Sequence, residues 1–205
     1  ETEADIIVFA GVSFMGESAK ILNPTKKVLL PDAEADCAMA HMASAKKVQE
    51  MREKYEDLAV VCYINSTAAL KTVSDVCVTS SNAVKIVKAL PNRNIFFIPD
   101  ENLGSYVAKQ VPEKNILLND GYCPVHKQIT VETVRQAKAK YSQAEFLAHP
   151  ECTEEILAEA DFIGSTADII HYAEKSSKQE FLIGTEDGVF AELMKKYQKL
   201  CEEQK

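Results

Sequence analysis

The stretch that opens at Cys37-Ala38-Met39-Ala40 and closes at Asp120-Gly121-Tyr122 begins again at Cys123, and this return decides the fold. Cys37 and Cys123 stand 86 residues apart. At the same offset Ser44 falls on Thr130, Val48 on Val134, Lys54-Tyr55 on Lys140-Tyr141, Tyr63 on His149, Asp75 on Asp161, Thr79-Ser80 on Ser165-Thr166 and Asp100 on Glu186, without a gap. A period of this size is too long for a solenoid repeat and too short for a large domain. It reads as duplicated α/β units, each carrying one cysteine at an equivalent corner.

Outward from the repeat, Ile7-Val8-Phe9-Ala10-Gly11 has the apolar character of Ile95-Phe96-Phe97-Ile98-Pro99 and of Phe181-Leu182-Ile183-Gly184-Thr185. The expected organisation is therefore the C-terminal part of a first α/β repeat in 1–36, a second repeat in 37–122 and a truncated third in 123–205. The chain opens on Glu1, and continuing the offset projects a third equivalent cysteine at position 209, past Lys205. The fold class expected is α/β, a pseudo-threefold arrangement of parallel-sheet repeats with the first and last incomplete.

Within the complete repeat, Ser44 to Tyr55 reads as a helix with Val48 and Met51 on one side and Lys46, Glu50 and Lys54 on the other, with Ser44 as its N-cap. A strand at Leu58 to Tyr63, a short helix near Thr67 to Lys71, a strand at Val76 to Val78 and a helix starting around Ser80 to Asn82 follow. Ile95 to Ile98 is a strand ending in a turn at Pro99-Asp100-Glu101-Asn102, a helix carries Tyr106 to Lys109, and Ile116 to Leu118 is a last strand. Alternation of strand and helix predicts a parallel sheet with helices on its faces.

Composition narrows the classes of partner. The chain is 46% hydrophobic and 26% charged, ordinary for a globular protein, and its net charge of −8 argues against nucleic acid or an anionic membrane surface. The longest apolar runs are strand-sized, short of the roughly eighteen residues a membrane span needs. Six cysteines without short paired spacings do not form a disulfide scaffold. A reducing cytoplasm fits best.

In open parallel sheets the ligand site lies at the carboxyl ends of the strands. Here those ends carry Tyr63-Ile64-Asn65-Ser66, Thr79-Ser80-Ser81-Asn82, Asp120-Gly121-Tyr122-Cys123, His149-Pro150-Glu151 and Gly164-Ser165-Thr166, which gathers most of the polar, reactive side chains. Thiolates at one repeated corner suit an iron–sulfur cluster with one iron left open, whereas a free cysteine is ordinarily a buried small hydrophobe. The repeat favours the first reading for Cys37 and Cys123 alone. Cys62 and Cys77, inside strands, keep the second, Cys152 stays open between the two, and Cys201 sits in a charged helical tail. His149 and Glu151 flank a proline on one strand-end turn, which can bring an imidazole and a carboxylate to one substrate, with His126 three residues after Cys123 as a possible third member. His41 and His171 read as structural. Ser80 and Ser165-Thr166 precede helices, where N-capping and anion binding can coexist.

Phe14-Met15-Gly16-Glu17 through Lys20-Ile21-Leu22-Asn23-Pro24, Lys27 to Asp32, Cys37-Ala38-Met39-Ala40, Tyr63-Ile64-Asn65-Ser66-Thr67, Gly121-Tyr122-Cys123-Pro124-Val125-His126, His149-Pro150-Glu151, Gly164-Ser165-Thr166 and Gly184-Thr185-Glu186 run in order along essentially the whole chain. Together they resemble the quinolinate synthase family of NAD biosynthesis. The resemblance implies three α/β units around a [4Fe-4S] cluster held by three cysteines, and condensation of iminoaspartate with dihydroxyacetone phosphate to quinolinate, with phosphate and water released. It implies Cys37 and Cys123 as cluster ligands; His149, Glu151, Tyr63 and His126 as catalytic; and Tyr63, Asn65, Ser80, His149, Glu151, Ser165 and Thr166 as substrate-binding. L-aspartate oxidase is the implied functional partner. The family's N-terminal His-x-Tyr motif, a downstream serine and the third cluster cysteine have no counterpart in these 205 residues, which are expected to be incomplete as a catalyst. The alternative is a non-catalytic binder of small anions, dicarboxylate or phosphate, on the same repeats without a cluster; a structural zinc protein is disfavoured by the absence of local C-x-x-C pairs.

Overall fold

A computed structural model describes residues 2–195, which divide at the Tyr122–Cys123 bond into two compact units. In the first unit β1 (Ile6–Val8), α1 (Ser13–Leu22) and β2 (Lys27–Leu29) form a small parallel pair with its crossover helix, followed by a 3-10 turn at Ala38–His41. Then come α2 (Ala45–Lys54), β3 (Leu58–Tyr63), α3 (Ala68–Thr72), β4 (Val76–Val78), α4 (Ala83–Ala89), β5 (Asn94–Ile98), α5 (Glu101–Gln110) and β6 (Asn115–Leu118). The last four strands make one parallel sheet in the order β4-β3-β5-β6. The second unit has α6 (Pro124–Lys127), α7 (Val131–Lys140), β7 (Glu145–Ala148), α8 (Glu154–Ala158), β8 (Phe162–Ile163), α9 (Thr166–Lys175) and β9 (Phe181–Gly184), with residues 189–195 helical after it. Its sheet is parallel too, in the order β8-β7-β9. The α/β class with parallel sheets is as the alternation of strands and helices predicts.

All six residues of β3 are buried, because a central parallel strand is covered by helices on both faces. Leu58, Val60 and Cys62 point to one face, where they pack with Phe96 and Ile98 of β5, Val48 of α2 and Leu70 of α3. Each large apolar side chain withdrawn in this way contributes about 1.5–3 kcal/mol. In the second unit Phe146 and Ala148 of β7 meet Val134 and Ile156 on one face, while Leu147 packs with Ile169, Ala173, Val189 and Leu193 on the other.

The offset of 86 holds at the level of single hydrogen bonds. The Asp75 carboxylate accepts from the Val60 amide at 2.7 Å and from Arg52 at 2.9 Å, and Arg52 also donates to the Val73 carbonyl at 3.1 Å. Their counterparts repeat the pattern: Asp161 accepts from the Phe146 amide at 2.8 Å and pairs with Lys138 at 3.3 Å, and Lys138 donates to the Glu159 carbonyl at 2.6 Å. Ser44 caps α2 by accepting from the Lys47 amide at 3.2 Å, and Thr130 caps α7 through the Thr133 amide at 3.2 Å.

Three local expectations change. Glu101 and Asn102 are helical, because Asp100, read as part of a turn, is the N-cap of α5 and accepts from the Leu103 amide at 2.6 Å. The cap of α4 is Asn82 and not Ser80; its side chain turns back to accept from the Thr79 amide at 2.7 Å. Cys77 is exposed, since β4 is an edge strand and not an interior one.

Candidate functional site

Strand ends in each unit carry the chemistry. In the first unit β3 delivers Tyr63, buried, with half-buried Asn65 two residues on in the loop that follows. Ser80, also half-buried, follows β4. Cys37 is the residue before the 3-10 turn and is half-buried. Asp36 organises that turn: one carboxylate oxygen accepts from Ser13 Oγ at 2.6 Å and from the Cys37 amide at 2.8 Å, and the other meets His41 Nε2 at 2.6 Å. These three partners hold the Asp36 carboxyl below the usual range, Ser13 most of all. His41 is therefore an exposed loop clamp rather than a core residue.

The chain approaches Cys123 through a tight passage. Asn119 Nδ2 donates to the carbonyls of Met42 and Pro99, both at 2.9 Å, and the Gly121 carbonyl accepts from the Glu101 amide at 2.7 Å. A Cβ on Gly121 would stand 2.5 Å from the Pro99 oxygen and 2.8 Å from Met42 Cβ, so only glycine fits this close approach of backbones.

In the second unit Cys123 precedes α6, with Pro124 in the first turn where its missing N–H costs nothing. One helical turn later His126 is buried, and the turn after β7 brings His149 and Glu151 to the same place; all four side chains are under 10% exposed. The His126 and His149 rings stack with centroids 4.9 Å apart. His126 Nε2 lies 3.0 Å from Thr185 Oγ1, and Nδ1 lies 3.1 Å from Glu151 Oε2. The second contact is close but off the N–H axis, so Nδ1 is a buried nitrogen without a hydrogen bond. His149 Nδ1 accepts from the Glu151 amide at 3.3 Å. Burial pulls His149 down to about 4, with Glu151 opposing, so the ring is neutral near pH 7. With Nδ1 accepting, its proton sits on Nε2. The Cys123 thiol is pushed up to about 12, by burial first and then by the Glu151 carboxylate.

A thiol, an imidazole nitrogen and a carboxylate oxygen, from Cys123, His126 and Glu151, thus lie within 4.8 Å of one another, all buried. Burial and the neighbouring carboxylate keep the Cys123 thiol protonated unless a cation joins them, and the His126 Nδ1 adds a further ligand atom. The donor set fits a metal centre, and the sulfur favours a soft one.

Of the remaining expected site residues, Ser165 is the N-cap of α9 in a full capping box: its hydroxyl donates to Asp168 at 2.5 Å and accepts from the Asp168 amide at 3.3 Å, while Asp168 accepts from the Ser165 amide at 3.0 Å. Thr166 is the first helical residue and half-buried. Cys152 is fully buried, donates to the Gly184 carbonyl at 3.4 Å and packs with Phe146 and Ile156, which settles it as core. His171 is exposed on α9, 3.9 Å from Glu174. Cys201 lies outside the described residues. Thr185, the partner of His126, was not singled out as a site residue; it follows the end of β9, so the strand-end rule could have reached it.

Fold and site together define a parallel α/β protein with a buried thiol–imidazole–carboxylate centre at the sheet's carboxyl edge. The profile of the quinolinate synthetase A protein family matches residues 1–202, and the chain belongs to that family. It is 60% identical to a quinolinate synthase of Fusobacterium nucleatum over 183 residues, 89% of this chain and 61% of the relative. It is 54% identical to a quinolinate synthase of Caldicellulosiruptor saccharolyticus over 196 residues, 96% of this chain and 65% of the relative, and 50% identical to quinolinate synthase 2 of Methanosarcina acetivorans over 196 residues, 96% and 63% respectively. The chain therefore spans just under two thirds of the length of these relatives. Among the described residues no helix is long and apolar enough to cross a membrane.

Proposed function

We propose that this chain belongs to a quinolinate synthase that condenses iminoaspartate with dihydroxyacetone phosphate, releasing phosphate and water, in NAD biosynthesis. The observation that carries the reading is the buried convergence of Cys123, His126, His149 and Glu151 within a chain of this family. Cys37 and Cys123 would hold a [4Fe-4S] cluster, with a third protein ligand outside these residues. When bound, the cluster supplies a Lewis acid for the loss of water.

The chain's own residues do the rest. His149, neutral with its proton on Nε2, can donate to a substrate oxygen, and Glu151 beside it can receive a proton, so the pair serves proton transfer in both directions. Thr185 and Glu151 flank the two nitrogens of His126 and hold its ring over His149. Tyr63 and Asn65, and the hydroxyls of Ser80 and Thr166, are assigned to the anionic groups of the substrate. Ser165, whose hydroxyl and amide are both taken up by Asp168 in the capping box, is assigned to positioning Thr166 for that contact. L-aspartate oxidase, which makes an imino acid of the kind consumed here, is the proposed functional partner, and the cytoplasm, where thiols stay reduced, the proposed location.

The test uses the full-length enzyme, reconstituted anaerobically. Cys37→Ser and Cys123→Ser should each lose iron and sulfide, whereas Cys62→Ala and Cys77→Ala should retain them. Wild-type cluster content in either serine variant would sink the assignment.

A further inference from the structure

Away from that centre, Cys62 and Cys77 are register partners on the adjacent parallel strands β3 and β4. Registered residues of a parallel pair point to the same face, and adjacent strands run about 4.8 Å apart, within the roughly 4.4–6.8 Å over which Cα atoms accept a disulfide. Each thiol is the largest single influence on the other's proton affinity, as befits register partners on one face. Their surroundings differ. Cys62 is fully buried among Val60, Leu70 and Phe96, with the Tyr63 carbonyl 3.4 Å from its sulfur, whereas Cys77 lies on the edge strand and is exposed.

We propose that Cys62 and Cys77 form an oxidation site that takes hydroperoxides: Cys77 is the peroxide-reactive thiol and Cys62 the resolving thiol. This does not rest on the cluster reading, since neither residue belongs to the Cys123 centre.

Charge supports the division of labour. The neighbouring Cys62 thiol, and after it the Lys71 ammonium, pull the exposed Cys77 thiol down, while the Cys77 neighbour and then burial push Cys62 up. Lys71 is fixed nearby, donating to Ser18 Oγ at 2.7 Å with its ammonium over the Phe14 ring. An exposed thiolate beside a lysine is the setting in which cysteines react with peroxide, and a second thiol in contact is what resolves the product. Cys152, by contrast, is sealed in the core.

In the first step the Cys77 thiolate attacks one peroxide oxygen, the O–O bond breaks, and the departing oxygen leaves as water after protonation, giving a sulfenic acid. In the second, the Cys62 sulfur attacks Cys77 Sγ, the S–O bond breaks, and hydroxide takes the Cys62 proton and leaves as water. Two thiols lose two electrons and hydrogen peroxide is reduced to two waters. The disulfide would tie β3 to β4 one residue before Tyr63 and two before Thr79, so it locks the two strands whose ends carry Tyr63, Asn65 and Ser80.

The measurement is site-resolved mass spectrometry of the full-length holoenzyme after stoichiometric hydrogen peroxide, alkylation and trypsin. Cleavage after Lys54, Lys71 and Lys85 places the two cysteines on peptides 55–71 and 72–85. The expected product is those peptides linked, two hydrogens lighter than their sum and separated by dithiothreitol. Cys77→Ser should abolish the link, and Cys62→Ala should leave a dimedone adduct on Cys77. Both cysteines remaining fully alkylated in the wild type, Cys77 passing to sulfinic acid without the link, or Cys77 linked to a different cysteine would each overturn the proposal.

Discussion

Asp161→Ala tests whether the two repeats are held by one and the same device. The Asp161 carboxylate accepts from the Phe146 amide at 2.8 Å and lies 3.3 Å from Lys138. A hydrogen bond to a charged acceptor is worth about 1.5–3 kcal/mol. The ion pair adds at most about 1 kcal/mol, because its side chains are 31% and 44% exposed and water screens them. A loss of about 2 kcal/mol corresponds to roughly 30-fold faster exchange of the Phe146 amide proton. The twin substitution Asp75→Ala should do the same to the Val60 amide, which donates to Asp75 at 2.7 Å. The amide of Phe146 holds the folded-state pKa of Asp161 below its ordinary value, so the stabilisation is present above the unfolded pKa, about 3.9, and is lost as pH falls through the lower folded value. Wild type and Asp161→Ala should therefore converge only in strong acid. Native-state hydrogen exchange followed by NMR reads both amides in one experiment. Protection of Phe146 unchanged in Asp161→Ala, or a gap between the proteins that persists unchanged down to pH 2, would refute the reasoning.

Glu151→Gln in the full-length reconstituted enzyme should lower kcat far more than it raises KM, while Ser80→Ala and Thr166→Ala should chiefly raise KM; steady-state kinetics decide, and normal turnover in Glu151→Gln would remove it from proton transfer. Gly121→Ala should destabilise the first unit by about 1–3 kcal/mol, because its Cβ meets backbone at 2.5 Å and not a flexible side chain. A thermal midpoint unchanged from wild type would show that the Asn119–Tyr122 passage is looser than its contacts indicate.

What could be read in advance follows the range of the interactions involved. β3 was legible because a strand buried on both faces is a continuous apolar run, and α2 because Ser44 and the Val48/Met51 stripe mark its start and its inner face. Helix starts next to turn-forming residues were harder: Pro99-Asp100 reads as a turn, yet the Asp100 carboxylate reaches the Leu103 amide and begins a helix. Val76-Cys77-Val78 looks like an interior strand, and nothing local reveals that the order β4-β3-β5-β6 leaves it at an edge, since pairing depends on contacts far apart in the chain. The stacking of His126 on His149, and the place of Thr185 beside them, likewise come from segments more than twenty residues apart.

The offset of 86 separates scaffold from chemistry. Positions that hold the units together keep their residue or its physical role: Asp75 and Asp161, Val48 and Val134, Leu70 and Ile156, Ser44 and Thr130, Arg52 and Lys138. Positions just past the strand ends do not. Tyr63 becomes His149, Asn65 becomes Glu151 and Ser66 becomes the buried Cys152, whereas Ser80 and Thr166 keep a hydroxyl. Divergence at these corners gives each unit its own donors and acceptors, while the equivalent core positions stay alike. At the offset of 86, Cys62 corresponds to Ala148 and Cys77 to Ile163. Among the described residues the registered thiol pair is therefore found in the first unit, where the proposed oxidation would join neighbouring strands.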